Sequence, residues 1–362
     1  MRTLILGAGS IGSRHVKNLL SLGVRDIAAY DSDRFARRRI SDEYNIPTLD
    51  DYASALAWEP AAAIICSPSD LHLSQARNLL STGSHLFIEK PLATVAQESF
   101  KILKAIEANG IDACVGYTNR FRRRFLAVKG KLQSGQIGKV TGVVTRAFMN
   151  RMVPIATVQR TNQRKNLTPM VVSGTHALDM SMWLMEGKTP VSVYACSNDL
   201  VLGKYGTKDS TFGIFTMEDG TIWSMSISWA LPMNWPGAVY GLEIGIVGTK
   251  GVIDIEDTHR DLVLASEIPQ GAGYDPEGFN LDQPRHVDFL TSYPPGDLYN
   301  DQLWGPMREE TNAWFGRVYT GLETPHATAA EGHRNLILTM AMDLSADRGE
   351  IVELPIDIKD LG

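Results

Sequence analysis

Cysteine is scarce in this chain. Three occur in 362 residues, Cys66, Cys114 and Cys196, far apart, odd in number and without a C-x-x-C spacing. That pattern argues against a disulfide framework and against a zinc site, so no metal is expected and a reducing compartment fits. Long hydrophobic runs are missing as well: none approaches the roughly 20 residues of a membrane helix, and no membrane partner is expected. The opening, MRTLILGAGS, has an apolar run too short for a secretory core and no A-x-A-like site, so it reads as a strand and the predicted location is cytoplasmic. Excess basic charge is also lacking. A net charge of -6 disfavours nucleic acid as the principal partner, because binding phosphate needs positive charge gathered on one face. There is no internal repeat and no low-complexity tract.

The length itself predicts two domains, each able to bury a core. Residues 2 to 116 repeat one pattern: a short aliphatic run, a turn, then helical apolar spacing. The runs are Thr3 to Leu6, Asp26 to Tyr30, a weaker one at Pro47 to Leu49, Ala62 to Cys66, Leu86 to Ile88 and Ala113 to Gly116. Helices are expected to begin near Ser10, Ser32, Leu49, Ser69 and Thr94. Alternating strands and helices imply a doubly wound parallel sheet, whose ligand crevice lies at the carboxyl ends of its strands.

Beyond about residue 135 longer alternating runs appear, at Val140 to Phe148, Val191 to Cys196, Thr211 to Met217, Thr221 to Trp229, Leu242 to Val247 and Val252 to Ile255. Turn pairs such as Asp219-Gly220 and Lys250-Gly251 separate them, which predicts a largely antiparallel sheet. Helical patterns return at Gly174 to Met185, about Leu303 to Tyr319, and Ala329 to Ser345. Pro269 to Tyr299 reads as a long functional loop or a partner-contacting excursion. The expected fold class is α/β: a Rossmann domain over residues 1–120, then an α+β domain over 121–362 with a large, open-faced, mostly antiparallel sheet.

Within LILGAGSIGSRH, Gly7, Gly9 and Gly12 form a G-x-G-x-x-G between the first strand and first helix. Gly7 would allow the tight turn, Gly9 the approach of a pyrophosphate, and Gly12 close helix-strand packing; the helix start, with Ser10 and Ile11, would attract the phosphate charge. The second strand ends at Asp31, near the offset at which a carboxylate binds the adenosine ribose, which favours NAD. Asp31 as a mere cap of the next helix is the structural alternative, and Arg34 keeps NADP open. In CSPSDLH, Ser67, Pro68, Ser69 and His72 follow the next long strand, an edge that would face the nicotinamide half of a dinucleotide; a helix start capped by Ser69, with a structural role for His72, is the alternative.

Lys90, in HLFIEKPLA, falls at the mouth of the crevice. Desolvation there would ease loss of its proton, so it could exchange protons with a substrate hydroxyl or carbonyl, with Glu89 orienting it. Pro91 fixes the exit of the chain, and the bond before it is open to a cis form. In MVVSGTHALDMSMWL, Gly174 and Thr175 can start a helix that carries His176, with Asp179 three residues on along the same face. Such a histidine could assist Lys90, or be a satisfied core residue. Arg120, Arg122, Arg123 and Arg124 read as a solvated helix face, while Arg160, Arg164 and Lys165 precede the His176 helix; converging, these groups would suit a sugar acid or nucleotide sugar. Trp223, Trp229 and Trp235 are expected in the core or at a subunit interface.

These segments, with EKPLA, VGYTNRF, SGQIGKV, IVGTKGVIDI and the closing ATAAEGHRNLILTMAMDLSADRGEIVELP, resemble the Gfo/Idh/MocA family over nearly the whole chain. The resemblance implies an NAD(P)-dependent oxidoreductase that moves hydride between nicotinamide and a ring carbon of a sugar, sugar derivative or cyclitol. It implies catalytic roles for Lys90 and His176, and substrate contacts from Lys90, Tyr117, Arg120, Thr175, His176 and Asp179. Glu89 and Lys90 would border the cofactor together with Gly7, Gly9, Ser10, Ile11, Gly12, Asp31, Ser67, Pro68 and His72. It further implies a homo-oligomer, dimer or tetramer, with the open sheet face as a contact. Many members carry an aspartate four residues before the histidine; here Val172 stands there, and valine can neither accept a hydrogen bond nor transfer a proton. A redox-neutral glycosidase or lyase and a non-catalytic dinucleotide-binding protein are the alternatives.

Overall fold

The computed structural model describes the chain apart from residues 153, 156–166, 234, 236–239, 258–262, 271–284, 290–295, 301 and 362. It divides into two compact units, Met1–Phe121 with Pro295–Leu336, and Arg122–Pro294 with Ile337–Gly362.

Unit 1 is built on a sheet of β1 (Thr3–Leu6), β2 (Ile27–Tyr30), β3 (Ala62–Ile65), β4 (His85–Glu89) and β5 (Ala113–Gly116). Their interior positions are buried and mostly aliphatic, as a sheet covered on both faces requires. Their order is β5-β4-β3-β1-β2, all parallel. The chain therefore reverses direction across the sheet between β1 and β3, and the carboxyl ends of those two strands are the topological switch point. Helices α1 (Ser10–Ser21), α2 (Arg34–Tyr44), α3 (Tyr52–Ala57), α4 (His72–Ser81) and α5 (Ala96–Asn109) link the strands. The weak run at Pro47 to Leu49 supplies only an isolated bridge, Ala29 to Thr48, and α3 starts later than its apolar spacing suggested because Asp51 caps it by accepting from the Ser54 amide.

The return of residues 295–336 to unit 1 departs from the contiguous second domain expected from sequence. Its helix α8 (Pro306–Thr320) puts Trp314 and Phe315 into the core that also holds Phe87, Ile64 and Ile5. The short β16 (Ala327–Thr328) pairs antiparallel with β5, and Arg317 binds Asp112. A helical pattern states which face is apolar, not which core receives it. The tract read as a long loop contains β13 (Arg285–Phe289) and β14 (Asp297–Tyr299), which pair with β12 (Val263–Gln270) before it and β15 (Gln302–Trp304) after it.

Unit 2 carries a seven-stranded sheet that uses β6 (Val140–Asn150), β7 (Pro190–Asn198), β8 (Ser210–Met217), β9 (Ile222–Leu231), β10 (Tyr240–Gly248), β11 (Gly251–Asp257) and β17 (Val352–Glu353). The order is β11-β10-β6-β9-β8-β7-β17, antiparallel throughout except for the β6/β9 pair. One face packs on α7 (Thr175–Leu184) and α6 (Arg123–Gln133), with Trp223, Phe215 and Met225 in the core. The other face leaves Val144, Phe212, Ile214 and Ile222 exposed. The last long helix, α9, spans Ala329–Arg348.

Candidate active site

The glycine loop follows directly from β1. Gly7 has φ +100, a left-handed value, and a Cβ there would sit 2.7 Å from the backbone of Cys66 and Ser67. A Cβ on Gly12 would lie 1.9 Å from the Gly7 carbonyl oxygen, so this glycine lets α1 lie against the loop. Gly9 is different: nothing lies within 4 Å of its Cβ position, and it caps α1 without a side-chain hydrogen bond. Gly9, Ser10 and Ile11 are exposed, which leaves room and uncapped amides for an anion at the helix start.

Asp31 is held by this loop. One carboxylate oxygen accepts from the Ala8 amide at 2.8 Å and the other from the Asp33 amide at 2.9 Å. The cap of α2 is Asp33, which accepts from the Phe35 amide, so the capping role considered for Asp31 falls to its neighbour. A cavity of about 210 Å³ opens here, lined by Gly7, Tyr30, Asp31, Tyr52, Ser67 and Gln75 among others. Tyr30 and Tyr52 face one another with ring centroids 5.8 Å apart, and burial raises the Tyr52 phenol above its ordinary value. Sequence reasoning missed both tyrosines, although Tyr30 precedes Asp31 at the strand end. The Ser67 hydroxyl donates to Gln75, and exposed Pro68 leads into a short 3-10 turn. The loop, with its uncapped helix start, and the cavity beside it have the space and donors that an adenine dinucleotide requires.

His72 is not placed as a cofactor ligand. It is buried, its Nε2 faces the Ser67 carbonyl at 3.1 Å and its Nδ1 the Leu92 carbonyl at 3.2 Å, and burial lowers its proton affinity. It ties the loop after β3 to the loop after β4.

That second loop holds Lys90, reached by a cis bond to Pro91. Burial pulls the Lys90 amine below the ordinary lysine value, and the Glu89 carboxylate partly opposes this. Glu89 itself is engaged by His15 from α1, with His15 Nε2 and Glu89 Oε1 2.9 Å apart. Its other oxygen accepts from the Lys90 amide at 3.3 Å.

Arg120 departs from the substrate role expected of it. It lies in a 3-10 turn, only 1% exposed, where its guanidinium meets both oxygens of Glu331 at 3.0 and 3.3 Å and the Pro325 carbonyl at 3.4 Å. Tyr117, beside it, is buried at 2% exposure. Arg120 is therefore also off the helix face read from sequence. Arg123 and Arg124 start α6 and are exposed, and Arg124 donates to the Glu256 carbonyl. The basic residues Arg160, Arg164 and Lys165 lie outside the described residues.

In unit 2, His176 is the second residue of α7 and half-buried, while Thr175 and Asp179 are buried. The turn before it, Met170–Gly174, is π-helical, a local widening absent from the sequence reading. Polar contacts seat α7 on the sheet: Ser181 meets Thr145 at 2.7 Å, and the Trp223 indole donates to the same Thr145. The Trp229 indole donates to Ser173 in the π-turn. Trp223 and Trp229 are thus core residues, and Trp235 is half-buried. Val172 packs against the apolar core.

A doubly wound sheet with a glycine-rich loop, a carboxylate tied to that loop and a lysine of lowered proton affinity at its carboxyl edge fits a dinucleotide-binding oxidoreductase. Residues 1–117 match the model of the oxidoreductase family with NAD-binding Rossmann fold, and residues 125–254 match the GFO/IDH/MocA C-terminal domain. The chain belongs to the Gfo/Idh/MocA oxidoreductase family, and its cofactor is a nicotinamide dinucleotide of the NAD type. It is 28% identical over 298 residues to an inositol 2-dehydrogenase of Rhizobium meliloti, covering 80% of this chain and 83% of that one. GenD2 from gentamicin A biosynthesis, solved in complex with NAD, shares the fold with a TM-score of 0.79 at 16% identity, over 98% of this chain and 96% of that one. The scyllo-inositol dehydrogenase of Lactobacillus casei, solved with NAD(H) and scyllo-inositol, has a TM-score of 0.74 at 19% identity, over 97% and 98%. Among the described residues no helix is long and apolar enough to cross a membrane.

Proposed function

We propose that this chain is an NAD-linked dehydrogenase that oxidises a secondary hydroxyl on a ring carbon of a cyclitol, sugar or sugar derivative. The observation that carries this reading is Lys90: an amine with lowered proton affinity, at the carboxyl end of β4, beside the strand whose end lines the dinucleotide cavity. Its similarity to an inositol 2-dehydrogenase supports the substrate class.

The Gly9 loop and the start of α1 would hold the pyrophosphate, and Asp31 the adenosine ribose. Asp31 also sets the preference for NAD, because a 2'-phosphate would be brought against its carboxylate. A nicotinamide bound there would supply the hydride acceptor. The neutral Lys90 amine takes the hydroxyl proton, and its desolvation makes that form accessible below the usual lysine range. His176, half-buried at the start of α7, is the candidate proton-handling residue of unit 2, whereas Thr175, Asp179 and Tyr117 are buried and take no substrate-facing role in this reading. Val172 excludes the aspartate-assisted relay, so the proton transfer falls on Lys90. The enzyme works as a cytoplasmic homo-oligomer, for which the exposed apolar face of the unit 2 sheet offers a surface.

Nicotinamide absorbance, followed with NAD or NADP and a panel of inositols, aldoses, glycosides and sugar acids, tests this. Reduced cofactor should accumulate one for one with oxidised cyclitol or sugar, and faster with NAD. Substrate consumed without net reduced cofactor would replace the dehydrogenase by a redox-neutral lyase or glycosidase. Binding without any turnover would leave a non-catalytic dinucleotide protein.

A further inference from the structure

We infer that His15 is a positioning residue for Lys90, acting through the carboxylate of Glu89; the inference rests on the proton-transfer role proposed for Lys90. His15 stands on the buried side of α1, one turn beyond Gly12, and is 1% exposed. Its ring meets Phe87 of β4 edge-on, with centroids 5.2 Å apart, so the imidazole cannot swing freely. Its Nε2 lies 2.9 Å from Glu89 Oε1, whereas its Nδ1 is buried without a hydrogen-bond partner among the described residues. A carboxylate only accepts, so a ring proton belongs on Nε2, and His15 is a fixed donor to Glu89.

The far side of Glu89 is shaped to receive it. A Cβ on Gly116 of β5 would lie 3.2 Å from Glu89 Oε2, so the glycine leaves the space which that oxygen uses. The same oxygen accepts from the Lys90 amide at 3.3 Å. Held by His15 at one oxygen and by the Lys90 backbone N–H at the other, the carboxylate keeps one orientation beside Lys90.

The neighbouring titratable groups do not duplicate this charge. At the end of β3, burial pushes the Cys66 thiol well above its ordinary value, so it stays neutral. On α4, burial lowers His72, which is neutral in the same range. The Glu89 carboxylate acts on the Lys90 amine and opposes the effect of burial. The glycine-loop helix thereby reaches the proton-transfer lysine through one side chain.

Competitive labelling of Lys90 with an amine-reactive reagent across pH, read by mass spectrometry on the cofactor-free protein, tests the inference without using turnover. In His15→Leu the carboxylate loses its donor and its fixed orientation, and the Lys90 titration should move down by about half a pH unit or more. In His15→Gln, whose amide can reach the same oxygen, it should return toward wild type. The pH profile of kcat/KM for oxidation should move in parallel, with far-UV dichroism unchanged in the Gln variant. No shift or an upward shift in a folded His15→Leu protein would overturn the inference, as would a Gln variant that behaves like the Leu one. A downward shift beside a fully active Lys90→Met enzyme would instead remove the role of Lys90 and leave the His15–Glu89 arrangement standing.

Discussion

Arg120 shows why a residue type in a recognised segment is not yet a role. Its position at the end of β5 is visible in the sequence, but its partner, Glu331, lies 211 positions away. The pair is nearly sealed from water on the arginine side, and removing one member of such a pair leaves a buried charge at a cost of about 3 kcal/mol. Arg120→Met should therefore lower the thermal midpoint by several degrees and leave KM for the polyol little changed; a raised KM with unchanged stability would restore a substrate contact. The pair also predicts an acid response. Burial pushes the Glu331 carboxyl up, but Arg120 and the Thr328 amide outweigh it, and the net value in the folded protein is lowered. A depressed carboxyl adds stability above the ordinary glutamate value and loses it as pH falls through the depressed one. Wild type should thus lose more stability on acidification than Glu331→Gln, as measured by melts at a series of pH values.

Among the elements, the first turn of the fold was the most legible part of the sequence. Glycine spacing, the strand before it and the carboxylate after the next strand all act locally, so they survive without knowledge of the tertiary structure. The three glycines nevertheless do separate jobs, and substitutions distinguish them. Gly12→Ala forces a Cβ onto the Gly7 carbonyl and should unfold or badly destabilise unit 1. Gly9→Ala meets open space, so it should fold normally and weaken NAD binding by about tenfold, read by titration calorimetry. Equal stability of the two variants would contradict the packing described for Gly12. What the sequence did not disclose at this scale is side-chain traffic between elements: His72 wedged between two loop carbonyls, and His15 bound to Glu89. In sequence His15 is only a residue in a motif, and His72 a candidate for either a structural or a functional role.

At the scale of the whole chain, the alternation of strands and helices foretold both sheets, including the near-continuous apolar strands of the first and the alternating ones of the second. It did not foretell that residues 295–336 rejoin unit 1. Periodicity is blind to which core a helix enters, and only contacts such as Trp314 with Phe87 decide it, their centroids being 5.6 Å apart. A fragment ending at residue 121 lacks Trp314, Phe315 and the β16 edge, and should be molten, with weak near-ultraviolet dichroism and no cooperative melt. A cooperative melt from that fragment would show that the returning segment is dispensable.

The central claim concerns the proton on Lys90, and one comparison tests it most directly: turnover and NAD affinity of Lys90→Met beside wild type, on the best polyol found. The account predicts a fall in kcat of about a hundred- to ten-thousandfold with NAD affinity kept within a few fold. A folded variant that turns over at the wild-type rate would contradict it.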